Sequence, residues 1–271
     1  MKTRIIVAAI GLPLLLLVVL VLPSVGTALL VAAMAVLAVY ELFIGAGFCK
    51  HVRIFAYSSL MALLVVLWSW LGQPRTMGAI CLLLYLCALF GEMLAAHTEL
   101  KLRTVCVAVF GALVIPYLLG ALVRLRVMEC GKFYILTAFL LTMVPDSGAY
   151  FAGRFFGKRK LCPIISPNKT VEGAIGGVVC TVVLMLLYTL ILQLGFKLRV
   201  NYLYAIVYAI LGAGGSILGD LTFSVIKRQA KIKDYGSLLP GHGGVLDRFD
   251  STMVVGPLVE VLVLLIPFAV K

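Results

Sequence analysis

Polar positions are so sparse along this chain that apolar residues run on in blocks, each long enough to be read as a unit. Blocks of about 18 residues or more recur from end to end, which is the length a helix needs to cross roughly 30 Å of hydrocarbon. They predict spans near 5–22, 26–48, 54–72, 78–96, 104–122, 132–152, 172–195, 202–226 and 249–270, about nine helices in all. Lipid offers no hydrogen bonds to a bare backbone, so uninterrupted runs imply helices rather than a barrel, whose strands alternate. The expected fold is therefore all-α, a polytopic integral membrane protein. The first span follows Met1–Arg4 as the core of a signal peptide would, but no small-residue cleavage site closes it and more spans follow, so it is expected to be retained. No linker, low-complexity tract or repeat divides the chain. A single polytopic domain over 1–271 is expected, with helices 1–5 in 1–130 and helices 6–9 in 131–271.

Composition agrees, with 63% hydrophobic and 13% charged residues and a mean hydropathy of +1.16. The 23 Lys and Arg then set an orientation, because positive charge favours cytoplasmic loops. With the N-terminus inside, 16 of them fall on cytoplasmic segments and 7 on the other side. The predicted topology is N-terminus cytoplasmic and C-terminus outside, and it puts the two most basic loops, 153–171 and 227–248, in the cytoplasm. A net charge of +12 would also hold those loops against anionic headgroups, so charge alone does not define a site. The seven cysteines are scattered with no C-x-x-C, which suggests neither a disulfide framework nor a zinc site. His51 and His97 stand alone near helix ends and are given no role.

Eleven acids carry more information, since a carboxylate at mid-span costs about 2.5–3.5 kcal/mol on insertion scales. Glu41, Glu92 and Glu260 lack polar neighbours in sequence and are expected to make structural hydrogen bonds to adjacent helices. Asp146, Asp220, Asp247 and Asp250 differ. In "GAGGSILGDLTFSVIKR", Gly212 to Arg228, the residues Gly212, Ser216 and Asp220 recur every fourth position and Gly215 and Gly219 form a second small pair. That spacing invites close approach of a neighbouring helix. Ser224 lies one turn beyond Asp220, and Lys227 and Arg228 follow, so one helical face runs from small residues through a carboxylate to cations.

The stretch "LPGHGGVLDRFD", Leu239 to Asp250, comes next, and Gly241, Gly243 and Gly244 leave backbone N–H groups open to an anionic ligand. Asp247 and Asp250 would share a face if the last helix has begun by then. Carboxylates gathered in one cleft repel unless a cation joins them, and hard oxygen donors without a Cys or His cluster favour Mg²⁺. Metal, cations and a glycine loop together equip a site for a polyphosphate. The other basic loop, from "PDSGAYFAGRFFGKRK" to "ISPNKTVEG", adds Asp146, Lys169, Thr170 and Glu172. Its "SPNKT" reads either as a turn with a helix cap or as a phosphate contact, and the neighbouring Asp146 and cations favour the second. No P-loop motif occurs.

The run "SVIKRQAKIKDYGSLLPGHGGVLDRFD", Ser224 to Asp250, resembles the signature of the phosphatidate cytidylyltransferases, or CDP-diacylglycerol synthases, of the bacterial type. "DSGAYFAGRFFGK" and "ISPNKTVEG" resemble that family's upstream blocks, with Asn168 where a lysine is expected. The motif resemblance covers Asp146 to Asp250, while helices 1–5 match only as apolar spans. It implies the reaction CTP plus phosphatidate giving CDP-diacylglycerol and pyrophosphate. It also implies Mg²⁺, with a second cation such as K⁺ left open, a homodimer, and no nucleic-acid partner. On this reading Asp220 and Asp247 hold the metal, with Asp250 as a further ligand, and Lys227 and Arg228 act with them in catalysis. Arg248, Lys169, Asp146, Gly243 and Gly244 join the substrate site, where Ser224 and His242 orient the phosphates. The expected location is the cell (inner) membrane with the site facing the cytoplasm. Two alternatives remain: a transferase using a polyprenyl or ether-lipid acceptor, and a cation-coupled transporter.

Overall fold

In the computed structural model described here, residues 2–72, 75–236, 238 and 243–271 are described. The chain is built from α1 (Lys2–Leu20), α2 (Ser24–Tyr40), α3 (Val52–Leu71), α4 (Arg75–Ala95), α5 (Leu102–Val109), α6 (Ile115–Val127), α7 (Gly131–Phe156), α8 (Val171–Phe196), α9 (Tyr202–Gln229), α10 (Val245–Phe249) and α11 (Thr252–Leu265). One π-turn, Glu41–Gly45, continues α2, and a second, Phe110–Val114, joins α5 to α6. Two small antiparallel ladders complete it, β1 (Lys160–Cys162) with β2 (Ser166–Thr170), and β3 (Arg199–Val200) with β4 (Ala269–Val270).

The architecture is all-α and polytopic. Among the described residues, seven helical stretches are long and apolar enough to cross a membrane: Ser24–Gly45, Val52–Leu71, Thr76–Ala95, Leu102–Val127, Gly131–Phe156, Val171–Phe196 and Tyr202–Gln229. Helix α8 exposes Ile175, Val179, Val183, Leu187 and Leu194, which only a lipid-facing helix tolerates in such a row. Helix α1 runs for 19 residues, is apolar from Ile5 onward and contains Pro13. The expected span 249–270 is helical only over the 14 residues of α11, about 21 Å. Its start is delayed because the Asp250 carboxylate takes up the N–H of Ser251 at 2.7 Å. It stops because Ile266 precedes Pro267 and leaves the helical region, at φ −142° and ψ 69°.

The chain divides into two compact units, residues 1–124 with 229–248, and residues 125–228 with 249–271. In the first unit the two π-turns pack together, with the Gly111 Cα facing Leu42 and Phe43 so closely that a Cβ would lie 3.1 Å from Leu42 Cδ2. Tyr85 of α4 ties three helices, sharing a hydrogen bond with Ser58 at 2.9 Å and donating to the Ala108 carbonyl at 3.0 Å.

In the second unit α7 packs along α8 and α11. Helix α9 opens with Asn201 Oδ1 accepting from the N–H groups of Leu203 and Tyr204 at 3.0 and 3.2 Å, an N-cap. The small-residue pattern of α9 does what its spacing predicts. Gly212 meets Leu141 and Ser216 donates to the Thr142 carbonyl at 3.4 Å, both on α7, while Gly215 and Gly219 face the start of α11. One end of the unit is closed by the β3–β4 ladder, by the Lys271–Glu129 ion pair at 4.0 Å, and by Phe268 between the rings of Tyr134 and Tyr208. The loop at 127–131, the loop at 197–201 and the 266–271 segment thus share one end.

Candidate active site

Measured from that closed end, Asp220 lies 18 residues along α9 and Asp146 lies 15 along α7, about 27 and 22 Å at helical rise. Both acids therefore lie toward the opposite end of the unit. The β1–β2 hairpin covers this far end. Segment "SPNKT" forms β2 itself rather than a free turn, and Lys160 pairs with Thr170 across the ladder. Thr170 caps α8 by accepting from Gly173 N at 3.1 Å. The Glu172 carboxylate accepts from the N–H groups of Lys158 and Arg159 at 3.0 and 3.1 Å, which ties the loop entering the hairpin to α8.

The hairpin carries Lys169 onto Asp220, and the two form an ion pair. Each side chain is about a quarter exposed, 25% and 26%, but the Lys169 Nζ atom itself is buried, so the charged ends meet out of contact with water. It faces a cavity of about 310 Å³ lined by Asp146, Tyr150, Ser166, Asn168, Lys169 and Asp220 among others, with Ala149, Leu161 and Ile217 as apolar wall. Ser224 donates to Asp220 Oδ1 at a long 3.4 Å. Asp250 is 8% exposed and belongs to the same neighbourhood. Burial, and after it the Asp220 carboxylate, push the Asp250 carboxyl up to about 7, while Lys227 pulls the other way and Asp146 adds to the rise. Arg228 is exposed in the last turn of α9. The second unit thus brings together Asp146, Lys169, Asp220, Ser224, Lys227 and Asp250.

Gly243, Gly244, Asp247 and Arg248 belong to the first unit. Gly243 has φ +86°, a conformation that glycine adopts without strain. Asp247 is buried in α10, and its Oδ2 accepts from Tyr235 N at 2.8 Å and Gly244 N at 3.0 Å. Arg248 is exposed. His242 and Gly241 lie outside the described residues. Asp247 and Asp250 would share a helical face only if the last helix had begun by Asp247; α10 ends at Phe249, before Asp250, and α11 begins at Thr252.

The residue the sequence undervalued is Glu41. Its carboxylate accepts from Val245 N and Leu246 N at 2.7 and 2.8 Å, so its partner is the loop bearing Asp247, not merely a neighbouring helix. An acid inside an otherwise apolar span was the available signal. Glu92, by contrast, pairs with the exposed Arg53 at 3.5 Å. Among the described residues, no group of three or more His, Cys, Asp and Glu side chains is placed to hold a metal ion. Asp220 and Asp250 are hard oxygen donors at a polar cavity, and Mg²⁺ is commonly held by one or two carboxylates with the remaining positions taken by water and phosphate oxygens. The donor chemistry fits that ion.

A family model described as the Cytidylyltransferase family matches residues 2–266. The chain belongs to the cytidylyltransferase family. Individual relatives of this family agree: the chain is 46% identical over 134 residues to a phosphatidate cytidylyltransferase of Staphylococcus saprophyticus, covering 49% of this chain and 50% of the relative. It is 47% identical over 134 residues to the protein of that name from Staphylococcus aureus, with the same coverage. The matches thus span about half the length of these curated relatives.

Proposed function

We propose that this protein transfers a cytidylyl group from CTP to phosphatidate, giving CDP-diacylglycerol and pyrophosphate, at the cytoplasmic face of the cell membrane. The observation that most supports this is the Lys169–Asp220 ion pair lining a cavity with both polar and apolar walls, toward one end of the long apolar helices α7 and α9. A lipid phosphate reaches such a place from the bilayer and a nucleotide from the water.

In the reaction, a phosphatidate oxygen attacks the α-phosphorus of CTP, and the bond to the bridging oxygen breaks to release pyrophosphate. The nucleophile is already an oxyanion near neutral pH, so no general base is required and catalysis rests on positioning and charge. Lys169, Lys227, Arg228 and Arg248 would neutralise phosphate oxygens, and Ser224 and His242 would orient them. The backbone of Gly243 and Gly244 would approach the triphosphate. Asp220 and Asp250 would hold Mg²⁺, which when bound neutralises charge on the triphosphate, and the sequence resemblance adds Asp247 to their role. Asp146 completes the polar side of the cavity. A homodimer is the assembly proposed on the family resemblance.

The test is transfer of label from CTP into chloroform-extractable lipid by purified protein with phosphatidate, with and without Mg²⁺. Mg²⁺-dependent labelled lipid with stoichiometric pyrophosphate is expected. Asp220→Ala and Asp247→Ala should each lower turnover by about 10²-fold or more while the protein still inserts. An intact preparation that labels no lipid across several acyl chains and divalent ions would refute the phosphatidate reading and favour another lipid acceptor.

A further inference from the structure

We infer that Glu41 is a positioning residue of the active site, seating the glycine loop that presents Asp247; this rests on the function proposed above. Glu41 opens the π-turn at the end of α2, in a stretch of mean hydropathy 2.3, and is 2% exposed. Insertions of this kind are frequent at functional sites because they re-aim a side chain within a helix. A carboxylate so placed is costly to bury unless each oxygen is satisfied.

Here both oxygens are satisfied by one partner. Oε1 accepts from Val245 N at 2.7 Å and Oε2 from Leu246 N at 2.8 Å. Those are the first two N–H groups of α10, which no carbonyl within that helix can reach. The acid fork therefore fixes both the position and the direction of the turn whose next residue is Asp247.

Three glycines show how tightly the loop is seated. A Cβ on Gly244 would fall 2.5 Å from Glu41 Oε2, and one on Gly236 would fall 3.1 Å from Oε1. A Cβ on Gly45, at the other end of the π-turn, would fall 2.0 Å from the Tyr235 carbonyl oxygen. The two loop segments clasped around Glu41 are also the ones that hold Asp247, whose Oδ2 accepts from Tyr235 N and Gly244 N. Moving Glu41 thus moves the backbone donors that aim the Asp247 carboxylate. Glutamine is nearly isosteric but offers one acceptor oxygen to two donors, and its NH₂ faces an N–H.

The experiment uses the full chain in detergent, comparing wild type, Glu41→Gln, Gly45→Ala and the exposed control Glu99→Gln. Hydrogen exchange is followed by mass spectrometry, and transfer from CTP is measured per mole of folded protein at varied CTP, Mg²⁺ and phosphatidate. Glu41→Gln is expected to speed exchange over 243–249 while α7–α9 keep wild-type protection, and to lower kcat about 10- to 100-fold, as loss of an outer-shell partner does. The KM for phosphatidate should stay within about twofold. Gly45→Ala, which forces the Tyr235 segment away while leaving every acid in the sequence, should give the same pattern if Glu41→Gln fails to fold. Unchanged exchange over 243–249, or faster exchange with undiminished kcat in the folded fraction, would overturn the assignment; the second result would make Glu41 a structural tie only. Should wild type itself transfer no cytidylyl group, the proposed function fails, while the exchange comparison still decides whether Glu41 seats the loop.

Discussion

Alanine at Gly219 would press on the turn that carries Asp250. The added Cβ would lie 2.9 Å from both the Asp250 carbonyl oxygen and the Ser251 Cα, and 3.2 Å from Val254 Cγ2. The two nearest atoms are backbone and cannot rotate away, so α9 and the start of α11 must separate by several tenths of an ångström. Overpacking of this kind costs about 1–3 kcal/mol. Alanine returns up to about 1 kcal/mol through its better helix propensity. The net cost is then roughly 0–3 kcal/mol. Gly215 is an internal control one turn earlier on the same helix. There the nearest atom is Leu258 Cδ2 at 3.2 Å, the tip of a side chain that can shift, so Gly215→Ala should be neutral or stabilising by up to about 1 kcal/mol. The two variants should therefore differ by about 1–3 kcal/mol, with Gly219→Ala the weaker. Turnover should separate them further, by roughly 10-fold or more, because displacing the Asp250 backbone misplaces a group of the site. Thermal unfolding in detergent, followed through reaction of the seven thiols, with label transfer from CTP alongside, measures both quantities. Equal stability and equal turnover in the two variants would refute the seam geometry of α9 and α11.

Lys169→Met should cost about 1–3 kcal/mol of stability, because the buried Nζ is lost and Asp220 is left without its cation, and lower turnover by about 10²-fold through lost phosphate neutralisation; near-wild-type turnover would remove Lys169 from the site. Asp250 gives a pH signature. Its folded pKa, about 7, lies above the unfolded value near 3.9, so its proton stabilises the fold below about pH 4 and that stability is lost as pH rises through 7. In chelator, wild type should therefore lose stability from pH 5 to 8 relative to Asp250→Asn, read as the difference in unfolding temperature. Parallel pH profiles for the two proteins would contradict the burial of Asp250.

The sequence by itself determined the membrane architecture, because crossing lipid demands long apolar helices whose lengths can be read directly. It also determined the seams of α9, since Gly212, Ser216, Gly215 and Gly219 repeat at helical spacing, and it singled out Asp146, Lys169, Asp220 and Asp250 as acids and a cation against the grain of the composition. Local chemistry suffices for such inferences. Other features depend on contacts between residues far apart in the chain, which spacing does not encode. The ion pair between Lys169 and Asp220 needs a hairpin folded back over α9. The late start of the last helix goes with one carboxylate taking a backbone N–H, and the β3–β4 ladder with where the chain returns. Glu41 is the clearest case. In sequence it is one acid in an apolar helix, separated by about two hundred residues from the amides it holds. Only the tertiary structure, by closing Gly236 and Gly244 around it, gave that carboxylate its partner.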